Sequence, residues 1–292
     1  AAGTGLSTHE LNQPGCYRDV KDTTATAQFK VVRDEKSEFL FAEGVQPYFL
    51  AWTTTPWTLP SNTALCVGPN IDYVRVLSTN PYTGVPGLYI VAQALVGAHF
   101  NPKKQEFTVL EGTLKGSELT GIRYEQLIPW FNPGEGAFKV IPGDYVTTED
   151  GTGIVHIAPT FGADDAKVAR LAGVPGLQVV DRNGDLQAQV DLRGRFFRIE
   201  DLDPEYAAAN MSPAYAEWEG RYVKNAYDAS LPADAPTLDV DICVMLKQEN
   251  KAFRIEKHTH NYPHCWRTDK PVLYYPLNSW FIKTTAVRER MM

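Results

Sequence analysis

The chain has 292 residues, 43% of them apolar and 22% charged, which suits one large or two ordinary domains with a substantial core. Its formal charge of −7 provides no general basic field, which excludes extensive non-specific binding along a nucleic-acid backbone but not a local contact to a strand end. No apolar run is long enough to span a membrane, and no signal peptide is recognisable. In chain order, "AQFKVV", "EFLFA", "PYFLAWTTT", "YVRVL", "GLYIVA", "FTVLEG", "AFKVI" and "TGIVHIA" read as strands. Turn signals such as "GPN", "NPYTGVPG", "NPKK" and "NPGEG" separate them. This spacing predicts a barrel or sandwich up to about Ala158. "GADDAKVARLAG" predicts a helix with Asp164 and Asp165 at its start and Gly173 as its stop. From Gln178 to about Tyr227 the pattern predicts a hairpin followed by helix, and "SLPADAPTLDVD" reads as a linker. From Cys243 onward helix and strand signals mix.

Two stretches carry possible chemistry. In "AWTTTPWTLPSN", Thr53, Thr54 and Thr55 extend an apolar strand, and Pro56, which cannot donate to a ladder, ends it. Several hydroxyls then stand at a strand end beside a turn. The plain alternative is a strand with a polar cap. In "EDGTGIVHIAPTFGADD", an alternating strand puts Ile154, His156 and Ala158 on one face, and a short loop leads to Asp165. His156 and Asp165 can then converge on one pocket. The plain alternative is a core-edge histidine and a helix cap.

Other signals are weaker. Cys16, Cys66, Cys243 and Cys265 form no CxxC pair, so reduced thiols in a cytosolic protein are the simpler reading. His258, His260, His264 and Cys265 are zinc-ligand types, but their spacing fits no standard finger, and the nearby Pro and Trp suggest a stiff connector. No metal site is assigned. "NMS" at Asn210 to Ser212 matches a glycosylation acceptor of a kind that arises often by chance. Phosphate-loop, dinucleotide and nucleophile-elbow signatures are absent.

Taken jointly, "WTTTPWTLPSN" and "GTGIVHIAPTFGADD" resemble the editing domain of isoleucyl-tRNA synthetase. "GTGLSTHEL", "LKGSELTGIRYE" and "YPHCWRTDKPVLYYPLNSWFIKTT" extend the resemblance over nearly the whole chain. Valyl and leucyl relatives share the layout but usually place an Arg after the threonines, where this chain has Thr55 before Pro56. The resemblance implies an α+β, mainly β fold, a β-barrel-like editing domain with peripheral helices. It implies a connector over 1–20, the editing domain over 21–257 with an inserted segment near 178–240, and a return connector over 258–292. The chain carries neither the HIGH nor the KMSKS signature of the activating domain, so it is expected to be the editing insertion alone.

The implied activity is hydrolysis of valine from mischarged tRNA(Ile), with valyl-adenylate as a second substrate. One methylene is worth only ~1–3 kcal/mol, a magnitude known for this family, so a single activating pocket cannot reject valine well enough. Thr53, Thr54 and Thr55 are the candidates to contact the carbonyl, the ribose and an attacking water, because hydroxyls both donate and accept. By resemblance Asp165 grips the α-ammonium, while His156, Trp57, Thr58 and Asn62 belong to the substrate pocket. "APTFGADD" departs from an "APGHGPDD"-like loop and lacks a histidine there. Editing is expected to need no cofactor, ATP and Mg²⁺ being used by the missing activating domain. The expected setting is a cytoplasmic monomer whose partner is the 3′ end of tRNA(Ile), with no membrane partner. The rival readings are a non-catalytic module that docks the acceptor end, a zinc hydrolase, and the valyl or leucyl branch.

Overall fold

The computed structural model describes residues 5–232, 235–276 and 282–291. The fold is mainly β: a large curled sheet, a two-stranded satellite and few helices. The strands are β1 (Tyr17–Lys30), β2 (Pro47–Thr53), β3 (Ala64–Val67), β4 (Asp72–Thr79), β5 (Pro86–Ala92) and β6 (Phe107–Val109), then β7 (Leu114–Lys115), β8 (Lys139–Pro142), β9 (Ile154–Ile157), β10 (Gln178–Val180), β11 (Leu186–Ala188) and β12 (Ala252–Pro263). The sheet runs β6-β4-β5-β2-β9-β3-β8, with β1 pairing both β2 and β12, and β7 pairing β4.

β2 is central, flanked by β1, β5 and β9, and "PYFLAWT" is accordingly buried at every position except Trp52, which is partly exposed. Its pairing with β9 is parallel, through Trp52 and Val155. Parallel neighbours leave the sheet at the same end, so Thr53–Thr55 and the loop after Ile157 emerge side by side. β9 lies between two apolar clusters, with Ile154 in the main core and Ile157 in a smaller group with Ala64, Cys66, Ile141 and Ala169.

Most predicted runs became strands, with two corrections. "EFLFA" is a 3₁₀ turn over Glu38–Phe41, not a strand. The Asp34 carboxylate accepts from the N–H groups of Lys36 and Ser37, and the Ser37 hydroxyl donates to the Val32 carbonyl at 2.7 Å. These local bonds offer the backbone an alternative to a ladder. The expected linker "SLPADAPTLDVD" ends in helix, since Leu238–Gln248 is helical; its residues 233–234 lie outside the described residues. The hairpin and helix expected after Gln178 are present as β10–β11 and Pro204–Asn210.

β1 and β12 form a long antiparallel ribbon from Tyr17↔Pro263 to Ala27↔Ala252. Its pairing runs through Val20–Lys21 and Lys257–His258, where connectors were expected to begin and end. Residues 1–4 and 277–281 of those connectors, and residue 292, lie outside the described residues.

Candidate active site

Thr53, Thr54, Thr55, Thr58, His156 and Asp165 line one cavity of about 390 Å³. That is enough for a small amino-acid ester. The sheet assembles it. β2 delivers the threonines, β9 delivers His156, and the helix Ala163–Leu171 delivers Asp165 from its first turn.

His156 is 8% exposed and both of its ring nitrogens are engaged. Asn62 Nδ2 donates to Nδ1 at 3.2 Å. The orientation of that amide is set by Tyr124, whose hydroxyl donates to Asn62 Oδ1 at 2.7 Å, and by Nδ2 donating to the Ala64 carbonyl at 2.8 Å. Nδ1 is therefore the acceptor and Nε2 carries the proton. Nε2–H donates to Thr58 Oγ1 at 3.0 Å, whose own proton goes to the Thr55 carbonyl at 2.8 Å. Burial pushes the imidazole down to about 4, so it is neutral near pH 7. With both nitrogens bonded, the neutral ring is held in one orientation at the edge of the cavity.

The hydroxyls form a chain. Thr55 Oγ1 lies 3.3 Å from Thr58 Oγ1 and 3.3 Å from Thr53 Oγ1, and the Thr55 N–H donates to Thr53 Oγ1 at 3.1 Å. With the Thr58 proton already committed, the chain runs from Thr53 through Thr55 to Thr58. The 3.3 Å contacts are long for hydroxyl pairs and easily exchanged for a ligand. The Thr54 hydroxyl has no partner among the described residues. Among the lining residues the only imidazole is that of His156, which already donates to Thr58 and so does not activate a threonine as a nucleophile.

Asp165 is half-buried, and its Oδ2 accepts from the Ala158 N–H at 2.8 Å. A helix N-terminus favours a carboxylate by only about 0.3–1 kcal/mol. Desolvation outweighs this and, with a smaller push from Asp164, raises the carboxyl to about 6. Gly162 makes room for this side chain: a Cβ there would sit 2.8 Å from Asp165 Cγ.

Two expected pocket residues do not line the cavity. Trp57, 3% exposed, stands behind it with its ring centroid 5.0 Å from that of Phe161, which does line it. Asn62, 2% exposed, acts through His156. Residues not anticipated from the sequence also face the cavity: Trp52, Thr147, Asp150, Thr152 and Phe161. Trp52, Asp150, Thr152 and Phe161 lie within the two quoted stretches and Thr147 just before the second, so membership of those stretches was the signal available. Among the lining residues Asp150 and Asp165 bear the only formal charges once His156 is neutral, so the cavity favours a cation.

The zinc-ligand types do not gather. His260 faces Asp22 at 3.3 Å, His264 Nδ1 meets the Tyr262 carbonyl at 2.9 Å, and Cys265 is buried and free. Among the described residues no three His, Cys, Asp or Glu side chains are grouped to hold an ion. Nor is any helix among them long and apolar enough to cross a membrane.

The fold is that of the CP1 editing domains of class I aminoacyl-tRNA synthetases. The solved structure described as GlLeuRS-CP1 shares it at a TM-score of 0.50 and 17% identity, covering 80% of this chain and 99% of that one. No family model matches the chain. Sequence comparison identifies the branch: the chain belongs to the isoleucyl-tRNA synthetase family. It is 61% identical to the isoleucine–tRNA ligase of Bacteroides fragilis over 306 aligned positions, covering 100% of this chain and 27% of that protein. The corresponding protein of Porphyromonas gingivalis is 59% identical, with 100% and 27% covered. That of Thermoplasma volcanium is 38% identical, with 99% and 22% covered. The chain thus spans about a quarter of the length of the relatives it matches, 27% for the first.

Proposed function

We propose that this chain hydrolyses the ester between valine and the terminal ribose of tRNA(Ile), and that valyl-adenylate is a second substrate of the same cavity. One observation carries the reading: a small cavity whose only formal charge is acidic faces a row of hydroxyls, beside apolar surface from Ile154, Val155 and Phe161. An aminoacyl ester presents the matching groups, an ammonium, a carbonyl with ribose hydroxyls, and a branched aliphatic side chain.

In this reading ionised Asp165 holds the ammonium, a charge-assisted contact contributing ~1.5–3 kcal/mol. The Thr53–Thr55 hydroxyls bind the carbonyl, the ribose and a water. That water attacks the ester carbon, the bond to the ribose oxygen breaks, and a proton given up by the water passes to that oxygen, restoring the ribose hydroxyl. The products are free valine and uncharged tRNA. The neutral ring of His156 limits the space for the side chain. The reading invokes no cofactor for this reaction. The setting we propose is the cytoplasm, with the chain acting as a monomer on the tRNA 3′ end.

The deciding experiment is timed release of amino acid from valyl-tRNA(Ile) and isoleucyl-tRNA(Ile). The expected result is faster loss of valine than of isoleucine. Equal rates, or rates matching the spontaneous reaction, would overturn the assignment.

A further inference from the structure

Asp239 lines no part of the cavity, yet it is a 2% exposed carboxylate bonded to Trp57, the residue directly before Thr58 of the cavity lining. The 3₁₀ turn Pro56–Ser61 carries Thr58, and its N-terminus has orphan donors to satisfy. Pro56 has no N–H. The Thr58 N–H bonds the Thr55 carbonyl at 2.9 Å, and Thr55 provides no side-chain cap. This leaves the Trp57 N–H, which donates to Asp239 Oδ1 at 2.8 Å across 182 positions of sequence.

Asp239 is itself held on its other side. Lys224 Nζ lies 3.8 Å from Asp239 Oδ2, 3.2 Å from Asp22 Oδ2 and 4.8 Å from the ring centroid of Tyr262. Asp22 also faces His260 at 3.3 Å. The carboxylate therefore links the inserted segment, through Lys224, and the β1–β12 ribbon, through Asp22 and Tyr262, to the peptide just before Thr58. Burial of this carboxyl raises it, and the Lys224 charge opposes the rise.

We propose that Asp239 is a positioning residue of the editing site: its bond to the Trp57 N–H holds the Pro56–Ser61 turn where Thr58 meets His156, and so sets both the hydroxyl chain and the His156 ring. The inference rests on the editing reading given above. The role belongs to the acceptor oxygen, with Lys224 and Asp22 serving to aim it. A neutral side chain of the same shape should then suffice, whereas an apolar one should not. Small displacements at such a site lower the rate more than they weaken binding.

Three variants of the full chain test it: Asp239→Asn, which keeps an acceptor; Asp239→Ala, which removes it; and Asp239→Leu, which removes it while filling the space. For valyl-tRNA(Ile) hydrolysis, Asp239→Asn should stay within about threefold of wild type. Asp239→Ala and Asp239→Leu should lose roughly tenfold or more in kcat with KM little changed. In parallel, amide exchange at Trp57 should accelerate about tenfold or more in the Ala and Leu variants only, with β2 and β9 amides unmoved. If Asp239→Ala does not fold, the comparison rests on Leu and Asn. Wild-type kcat and Trp57 protection in a folded Leu or Ala variant would overturn the proposal. So would a loss in Asn as large as in Leu, since charge and not the acceptor would then matter. Should wild type itself fail to hydrolyse the ester, the editing reading falls, and the exchange data alone decide whether Asp239 holds this turn.

Discussion

The Thr58 hydroxyl sits 3.0 Å from His156 Nε2, and it accepts because its own proton is committed to the Thr55 carbonyl. The ring is thereby clamped from Asn62 on one side and Thr58 on the other. A clamped imidazole is a rigid boundary, and rigid boundaries reject added bulk, at ~1–3 kcal/mol per extra methylene. His156→Ala should therefore gain isoleucyl-tRNA(Ile) hydrolysis, by about tenfold, while keeping valyl-tRNA(Ile) hydrolysis. Parallel rate measurements on the two esters check this. A folded, active variant that still rejects isoleucine would move the boundary to Phe161 and the threonines.

Asp165 should show opposite signs for activity and stability. Asp165→Asn keeps the shape and loses the charge, so ester hydrolysis should fall by roughly tenfold to a hundredfold. The folded-state carboxyl lies near 6 against an ordinary value of 3.8, so the fold favours the protonated form. That stabilisation is complete below about 3.8 and is lost as the pH rises through about 6. Thermal unfolding at pH 5 and pH 8 should thus show wild type losing stability relative to Asp165→Asn on going to pH 8. A variant markedly less stable than wild type at pH 8 would contradict the burial argument. Binding of an ammonium-bearing ligand runs the other way: it needs the ionised form and should weaken as the pH falls through about 6.

What was legible in the sequence was local. "GADDAKVARLAG" marks a helix start, and Pro56 and Pro159 place the ends of β2 and β9 to within a few residues, because turn and cap chemistry acts locally. β2 nevertheless stops at Thr53, so Thr54 and Thr55 do not extend the strand as expected. The two site stretches were recognisable as stretches, but their meeting depends on one parallel pairing, Trp52 with Val155, which no local pattern encodes. The first half of β1, "YRDVKDT", shows no apolar alternation because it is largely exposed and owes its extension to β12. The resemblance puts Trp57 and Asn62 in the pocket, whereas the 3₁₀ turn and its C-cap set them behind the residues that line the cavity. Asp239 was hidden for the same reason in reverse. It lies in what read as a linker and reaches the site only through the tertiary fold.

Gly153, directly before β9, should be the least replaceable glycine near the site. Its φ is +73°, and an added Cβ would lie 2.4 Å from Ala92 Cβ. Its carbonyl also accepts from the Tyr73 hydroxyl at 2.6 Å, so the peptide cannot turn away without breaking a buried bond. The backbone penalty is about 1–2 kcal/mol and the overlap about 1–3 kcal/mol. Gly153→Ala should lower stability by about 3 kcal/mol, read as a fall in the denaturant midpoint at unchanged slope. A loss under about 0.5 kcal/mol would mean that β5 and β9 have room to separate.

Gly162 tests the geometry of Asp165 without touching its charge. Its φ of −148° is open to alanine, so Gly162→Ala brings no backbone strain. The new Cβ would instead lie 2.8 Å from Asp165 Cγ and 3.1 Å from Oδ1. The carboxylate must swing aside, and the Ala158 N–H then loses its 2.8 Å partner. Stability should fall by about 1–3 kcal/mol, the cost of leaving the N–H of the buried Ala158 without a partner. Hydrolysis of valyl-tRNA(Ile) should fall towards the level of Asp165→Ala. The double variant Gly162→Ala/Asp165→Ala separates the routes, because changes acting through one group do not add. If the glycine acts only by making room for Asp165, the double variant should match Asp165→Ala within about twofold. A further loss in the double variant would show that Gly162 shapes the cavity in its own right.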